Sequence, residues 1–151
     1  RVGWVCGASE VISRLVLMKQ AADLHSATTN QIVTHHVAAS QFDTHVAKLR
    51  TTYQARRDHL LAALRREMPE GVSWTKPEGG MFIWLILPEA MDGADLLAQS
   101  LKTERVAFVP GRAFFADGSN GNTLRLSFSC ADEAAIDEGM KRLGRLIRAQ
   151  G

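Results

Sequence analysis

The chain has 151 residues, 46% of them hydrophobic and 23% charged, ordinary globular values that exclude disordered, collagen-like and low-complexity classes. Its 18 Lys and Arg against 16 Asp and Glu leave a net charge of +2, too weak a field to point to nucleic acid as a partner. No apolar run approaches the roughly 20 residues of a membrane span, the first residues lack the charged n-region and h-region of a signal peptide, and with two distant cysteines, Cys6 and Cys130, a reducing, cytoplasmic setting is expected, without a disulfide framework or thiolate metal site.

Arg1 to Gly7 reads as a short strand, since Val2, Trp4 and Val5 favour extended backbone and a glycine closes the segment. Ser9 and Glu10 open a helix to about Ala22, with Val11, Leu15 and Met18 at helical spacing, and Asp23 to Thr29 breaks it. From Asn30 a helical pattern resumes to Met68, and Ser40 to Asp43 offers a fresh N-cap, so two consecutive helices are expected. In the second, Val46, Leu49, Tyr53, Leu60 and Leu64 form an apolar stripe, arginines crowd the other faces, and Pro69 and Gly71 end it.

Beyond Gly71 the texture becomes strands and turns. Val72 to Thr75 and Met81 to Leu87 read as strands around Lys76-Pro77-Glu78-Gly79-Gly80. A helix is expected over Asp92 to Lys102, with Leu97 and Leu101 one turn apart, then a strand over Arg105 to Val109, a turn at Pro110-Gly111 and a loop over Asp117 to Asn122. Thr123 to Ser129 alternates strictly, and Asp132 to Arg148 is an amphipathic helix with Ile136, Met140, Leu143 and Ile147 inward. The order strand, strand, helix, strand, strand, helix defines a two-layer α+β unit following a helical half.

Arg125 is the chief candidate for chemistry. Alternation sets Leu124, Leu126 and Phe128 on one face and Arg125 among Thr123, Ser127 and Ser129 on the other. A planar guanidinium fork with small neighbours suits a carboxylate, although an arginine on the solvated face of an edge strand follows the same pattern. The turns at Pro77 to Gly80 and Pro110-Gly111 each feed apolar residues toward a core and, taken singly, read as structural punctuation. The five histidines include no i,i+4 pair, so no metal site is expected. Ser73-Trp74-Thr75-Lys76 carries the Ser-x-x-Lys string of some acyl enzymes outside a helix start and without companion motifs, a coincidence.

Five segments in order, Arg1-Val2-Gly3-Trp4, His45 to Arg50 with Tyr53 and Arg56-Arg57-Asp58, Pro77 to Phe82, Val109-Pro110-Gly111 with Phe114, and Asn122 to Phe128, resemble the C-terminal part of class I/II, fold-type I aminotransferases dependent on pyridoxal phosphate. The resemblance is closest to the branch of 2-aminoadipate and kynurenine aminotransferases and of MocR-type regulators. It implies an α/β fold seen in part: residues 1–68 as the tail of the large cofactor-binding domain with its linking helices, and 69–151 as the small α+β domain. It also implies transamination between an amino acid and a 2-oxo acid, Arg1 on the cofactor phosphate and Arg125 on the substrate carboxylate. The Schiff-base lysine is expected upstream of Arg1, so the isolated chain is expected to be inactive. A homodimer is implied, with Ser26 to Gln31 near the neighbouring subunit's site. Its alternative is the effector domain of a MocR-type transcriptional regulator, and a further one a non-catalytic binding module.

Overall fold

The computed structural model describes residues 2–150. The elements are α1 (Ser9–Ala22), α2 (Thr28–Glu67), β1 (Ser73–Trp74), β2 (Phe82–Ile86), α3 (Gly93–Thr103), β3 (Val109–Pro110), a 3₁₀ turn (Gly111–Phe114), β4 (Thr123–Ser127) and α4 (Glu133–Arg148). By contacts the chain divides into two compact units, Arg1–Lys48 and Leu49–Gly151.

In the first unit, α1 buries none of its residues, and Val2, Trp4, Val11 and Leu15 are exposed. Residues 2–7 form no strand, contrary to the expectation over Arg1 to Gly7; Arg1 itself lies outside the described residues. A strand exists only through a ladder partner, and the described residues offer that segment none.

The expected break at Ser40 to Asp43 is also absent, because α2 runs uninterrupted from Thr28 to Glu67. Those 40 residues contain neither proline nor glycine. The Ser40 hydroxyl, a candidate cap by sequence, instead donates back to the His36 carbonyl at 2.8 Å, a bond compatible with a continuing helix.

The second unit is a four-stranded antiparallel sheet in the order β1-β2-β4-β3 with helices on one face. Ile83 and Leu85 of β2 and Leu124 and Leu126 of β4 point inward, and they share one core with Leu60, Leu61 and Leu64 of α2, Leu96 of α3 and Ile136, Met140, Leu143 and Ile147 of α4. Burying such side chains supplies about 1.5–3 kcal/mol each, the main favourable term in this unit. Asp92 caps α3 by accepting from the Ala94 and Asp95 amides, and Asp132 caps α4 by accepting from Ala135.

On α3 the buried side chains are Leu96 and Ser100; Leu97 packs half-buried against the core, and Leu101, one turn on, is exposed. The strand expected over Arg105 to Val109 is met only at Val109, within β3; Arg105 takes φ +56°, outside the extended region, and the β3–β4 ladder holds only Val109 and Pro110.

Candidate functional site

The sheet face turned away from the helices carries the candidate site. Arg125 stands in the middle of β4, opposite Trp84 of β2 on one side and Val109 of β3 on the other. Cross-strand partners share a face, so Trp84 and Arg125 lie together and Phe82, opposite Ser127, is the diagonal neighbour. Arg125 thus sits on an interior strand of the sheet, and the edge-strand reading of the alternation is set aside.

Its guanidinium carbon lies 3.9 Å from the Phe82 ring centroid and 4.7 Å from that of Phe114. Phe114 meets Trp84 edge-on at 5.5 Å, and Phe115 meets the same indole at 6.1 Å. The 3₁₀ turn that delivers these phenylalanines is tied down at its first two residues. Arg112 pairs with Asp92 at 2.6 Å, and the backbone of Gly111 sits so close to Thr123 and Trp84 that a Cβ would overlap the Thr123 hydroxyl. That approach explains why a glycine follows Pro110. The buried Thr123 hydroxyl donates to the Asn120 carbonyl at 2.6 Å.

No ion pair among the described residues involves Arg125. The neighbouring arginines are employed otherwise. Arg56 donates to the Ser129 carbonyl and Arg57 to the Pro77 carbonyl at 3.1 Å, so both brace loops that flank the sheet. Ser127 and Ser129 share a hydroxyl contact at 3.0 Å beside the site. A positive, half-buried fork free of acidic partners, on a face with small hydroxyls, can accept a carboxylate in bidentate fashion. Among the described residues no group of three or more His, Cys, Asp or Glu could hold a metal ion, and no helix is long and apolar enough to cross a membrane.

The model of the aminotransferase class I and II family matches residues 1–143. The chain belongs to that family. It is 42% identical to aromatic-amino-acid aminotransferase 1 of Thermococcus litoralis over 99% of its own length and 36% of that protein's. It superimposes on the crystal structure of LysN, the alpha-aminoadipate aminotransferase of Thermus thermophilus complexed with N-(5'-phosphopyridoxyl)-L-leucine, with a TM-score of 0.82 and 41% identity, covering 94% of this chain and 36% of that one. It is also 26% identical to the HTH-type transcriptional regulator NorG of Staphylococcus aureus over 98% of its length and 33% of that protein's. The chain therefore spans about a third of the length of the relatives it matches. It is a mixed helix and sheet segment of the fold-type I aminotransferase architecture.

Within that family frame, the Pro77 to Phe82, Val109 to Gly111 with Phe114, and Asn122 to Phe128 segments, distant in sequence, meet on one sheet. The first two do not simply feed a core, as their turns suggest in the sequence. Phe82 and Phe114 instead point to the open face, 37% and 49% exposed. The available signal was the alternation of β2, which sets Phe82 and Trp84 opposite the buried Ile83 and Leu85.

Proposed function

We propose that the protein carrying this chain is an aminotransferase that moves an amino group between an amino acid and a 2-oxo acid with pyridoxal phosphate. In this reading residues 1–68 end the large domain and supply the linking helices, and 69–151 form the small domain. The observation that carries it is Arg125: a guanidinium without an acidic partner, held mid-sheet in a chain of this family.

The described residues fit the carboxylate end of a substrate; the donor set around Arg125 is one fork among aromatic rings and hydroxyls, suited to a planar anion rather than to the cofactor's ring. Arg1, outside the described residues, would hold the cofactor phosphate, a role suited to a guanidinium's fixed donors. The Schiff-base lysine would come from sequence preceding Arg1. Bound pyridoxal phosphate supplies an electron sink when the substrate's α-proton leaves. Arg125 contributes orientation: two parallel N–H donors on the carboxylate fix how the substrate's Cα is presented. The isolated chain is accordingly expected to be inactive, and a homodimer in the cytoplasm is the expected form of the whole protein.

The test is steady-state kinetics of the full-length protein with Arg125→Ala. Loss of a charge-assisted bidentate contact should lower kcat/KM for amino acids about a hundredfold or more. Unchanged kinetics would remove Arg125 from the site. The similarity to a transcriptional regulator supports a second reading, in which the same architecture serves as the effector domain of a MocR-type protein. A helix-turn-helix segment elsewhere in the same polypeptide, with no transaminase turnover, would decide for it.

A further inference from the structure

We propose that Phe82 and Phe114 are positioning residues for the substrate carboxylate, acting through Arg125; this deepens the reading above and rests on it. An arginine side chain is long and flexible, and an unrestrained one would lose much rotamer entropy on binding. Proteins commonly restrain such a group with a carboxylate, but that would occupy the very donors a substrate must use. Here the restraint comes from two ring faces, at 3.9 Å and 4.7 Å from the guanidinium carbon. A ring attracts the flat face of the cation, whereas the N–H donors lie in its plane. Stacking therefore orders the fork and leaves its donors available.

The geometry extends one layer outward. Phe114 is seated on Trp84, the residue directly opposite Arg125 in the β2–β4 ladder, so ring and guanidinium are referred to the same pair of strands. The turn bearing Phe114 is held by the Arg112–Asp92 ion pair and by the close approach of Gly111 to Thr123. Phe82 lies two residues before Trp84 on the same strand face. The two rings thus come from separate segments, the 3₁₀ turn and β2, and both are referred to β2, Phe82 directly and Phe114 through Trp84.

The experiment compares Phe82→Leu, Phe114→Leu, Phe114→Tyr and Arg125→Lys in the full-length holoenzyme, using an amino acid and a primary amine without a carboxylate. Each leucine variant should raise KM for the amino acid and for the 2-oxo acid about three- to tenfold while kcat stays within about twofold, the pattern of lost ground-state and transition-state binding alike. Phe114→Tyr keeps the ring and should restore KM. Turnover of the carboxylate-free amine should not change in either leucine variant. Phe114 is half exposed, so leucine there leaves the core intact even where Phe82→Leu fails to fold. If Arg125→Lys leaves KM for the amino acid unchanged, the carboxylate role of Arg125 falls and the inference with it. If Arg125→Lys raises KM and both leucine variants match the wild type, the positioning role alone is overturned. Equal losses on the amine and the amino acid would overturn it too, as general damage to the fold.

Discussion

At the scale of single residues, the site depends on one close approach as much as on its charge. Gly111 lies where any side chain would displace the Thr123 hydroxyl and press to within 2.7 Å of the Trp84 ring. Thr123 begins the strand that carries Arg125, and Trp84 seats Phe114. Gly111→Ala is expected to cost about 1–3 kcal/mol through overpacking. Urea unfolding of the full-length protein measures this as a lower midpoint. The same variant should raise KM for the amino acid, since the turn must shift away from Arg125; a wild-type midpoint and KM would show that the turn relaxes freely. The strand alternation is local and singled Arg125 out as a candidate, while the carboxylate role proposed for it came from the resemblance carried by five segments in order along the chain. The Phe82 and Phe114 contacts were not legible, because they depend on β2 and β4 being neighbours, a pairing between strands that lie far apart along the chain.

Among the elements, α4 meets the end of α2 at a point with no spare room. A Cβ on Gly144 would overlap the Glu67 carbonyl, which also accepts from Arg148 at 2.7 Å. Gly144→Ala should therefore destabilise by about 1–3 kcal/mol, although alanine is the better helix former by about 1 kcal/mol at an unconstrained position. Thermal unfolding checks the sign: a higher Tm would mean that α4 can slide without loss. The amphipathic helices were readable in advance because each announces itself locally, α3 and α4 by an aspartate cap and α4 by spacings of four, three and four between its inward residues. Helix α2 is ambiguous at Ser40 because a hydroxyl that can cap a new helix can equally bond to the preceding turn, and only the backbone on both sides decides. The strand expected at Arg1 to Gly7 fails for the opposite reason, since propensity alone makes no ladder.

On the scale of the whole molecule, acid sensitivity follows from carboxylates that the fold uses as charged acceptors. Arg66 donates to Asp137 at 2.8 Å, joining α2 to α4, and this hydrogen bond, aided by the charge of Arg66 and by His59 at 3.1 Å, holds the Asp137 carboxyl below its ordinary value of 3.8. Asp92 is lowered first by the Ala94 amide, then by the Asp95 amide and the charge of Arg112. A carboxylate with a folded value below its unfolded one contributes stability that is fully present above the unfolded value. That contribution fades as pH falls below about 4 and through the lower folded value, because the unfolded chain takes up protons first. Asp137 is open to solvent and Asp92 is half-buried at the surface, so the effect per group is small and screened by salt. The expected result is an unfolding midpoint that falls below about pH 4. Asp137→Asn should narrow the difference between about pH 5 and about pH 3, and an unchanged pH profile in that variant would mean that the link between α2 and α4 is not what acid removes. Asp92 gives the acid response a functional readout as well: it both caps α3 and holds Arg112 in the turn that carries Phe114. Asp92→Asn, which keeps an N-cap acceptor but loses the charge, should leave α3 formed while raising KM for the amino acid, separating the cap from the ion pair in one protein.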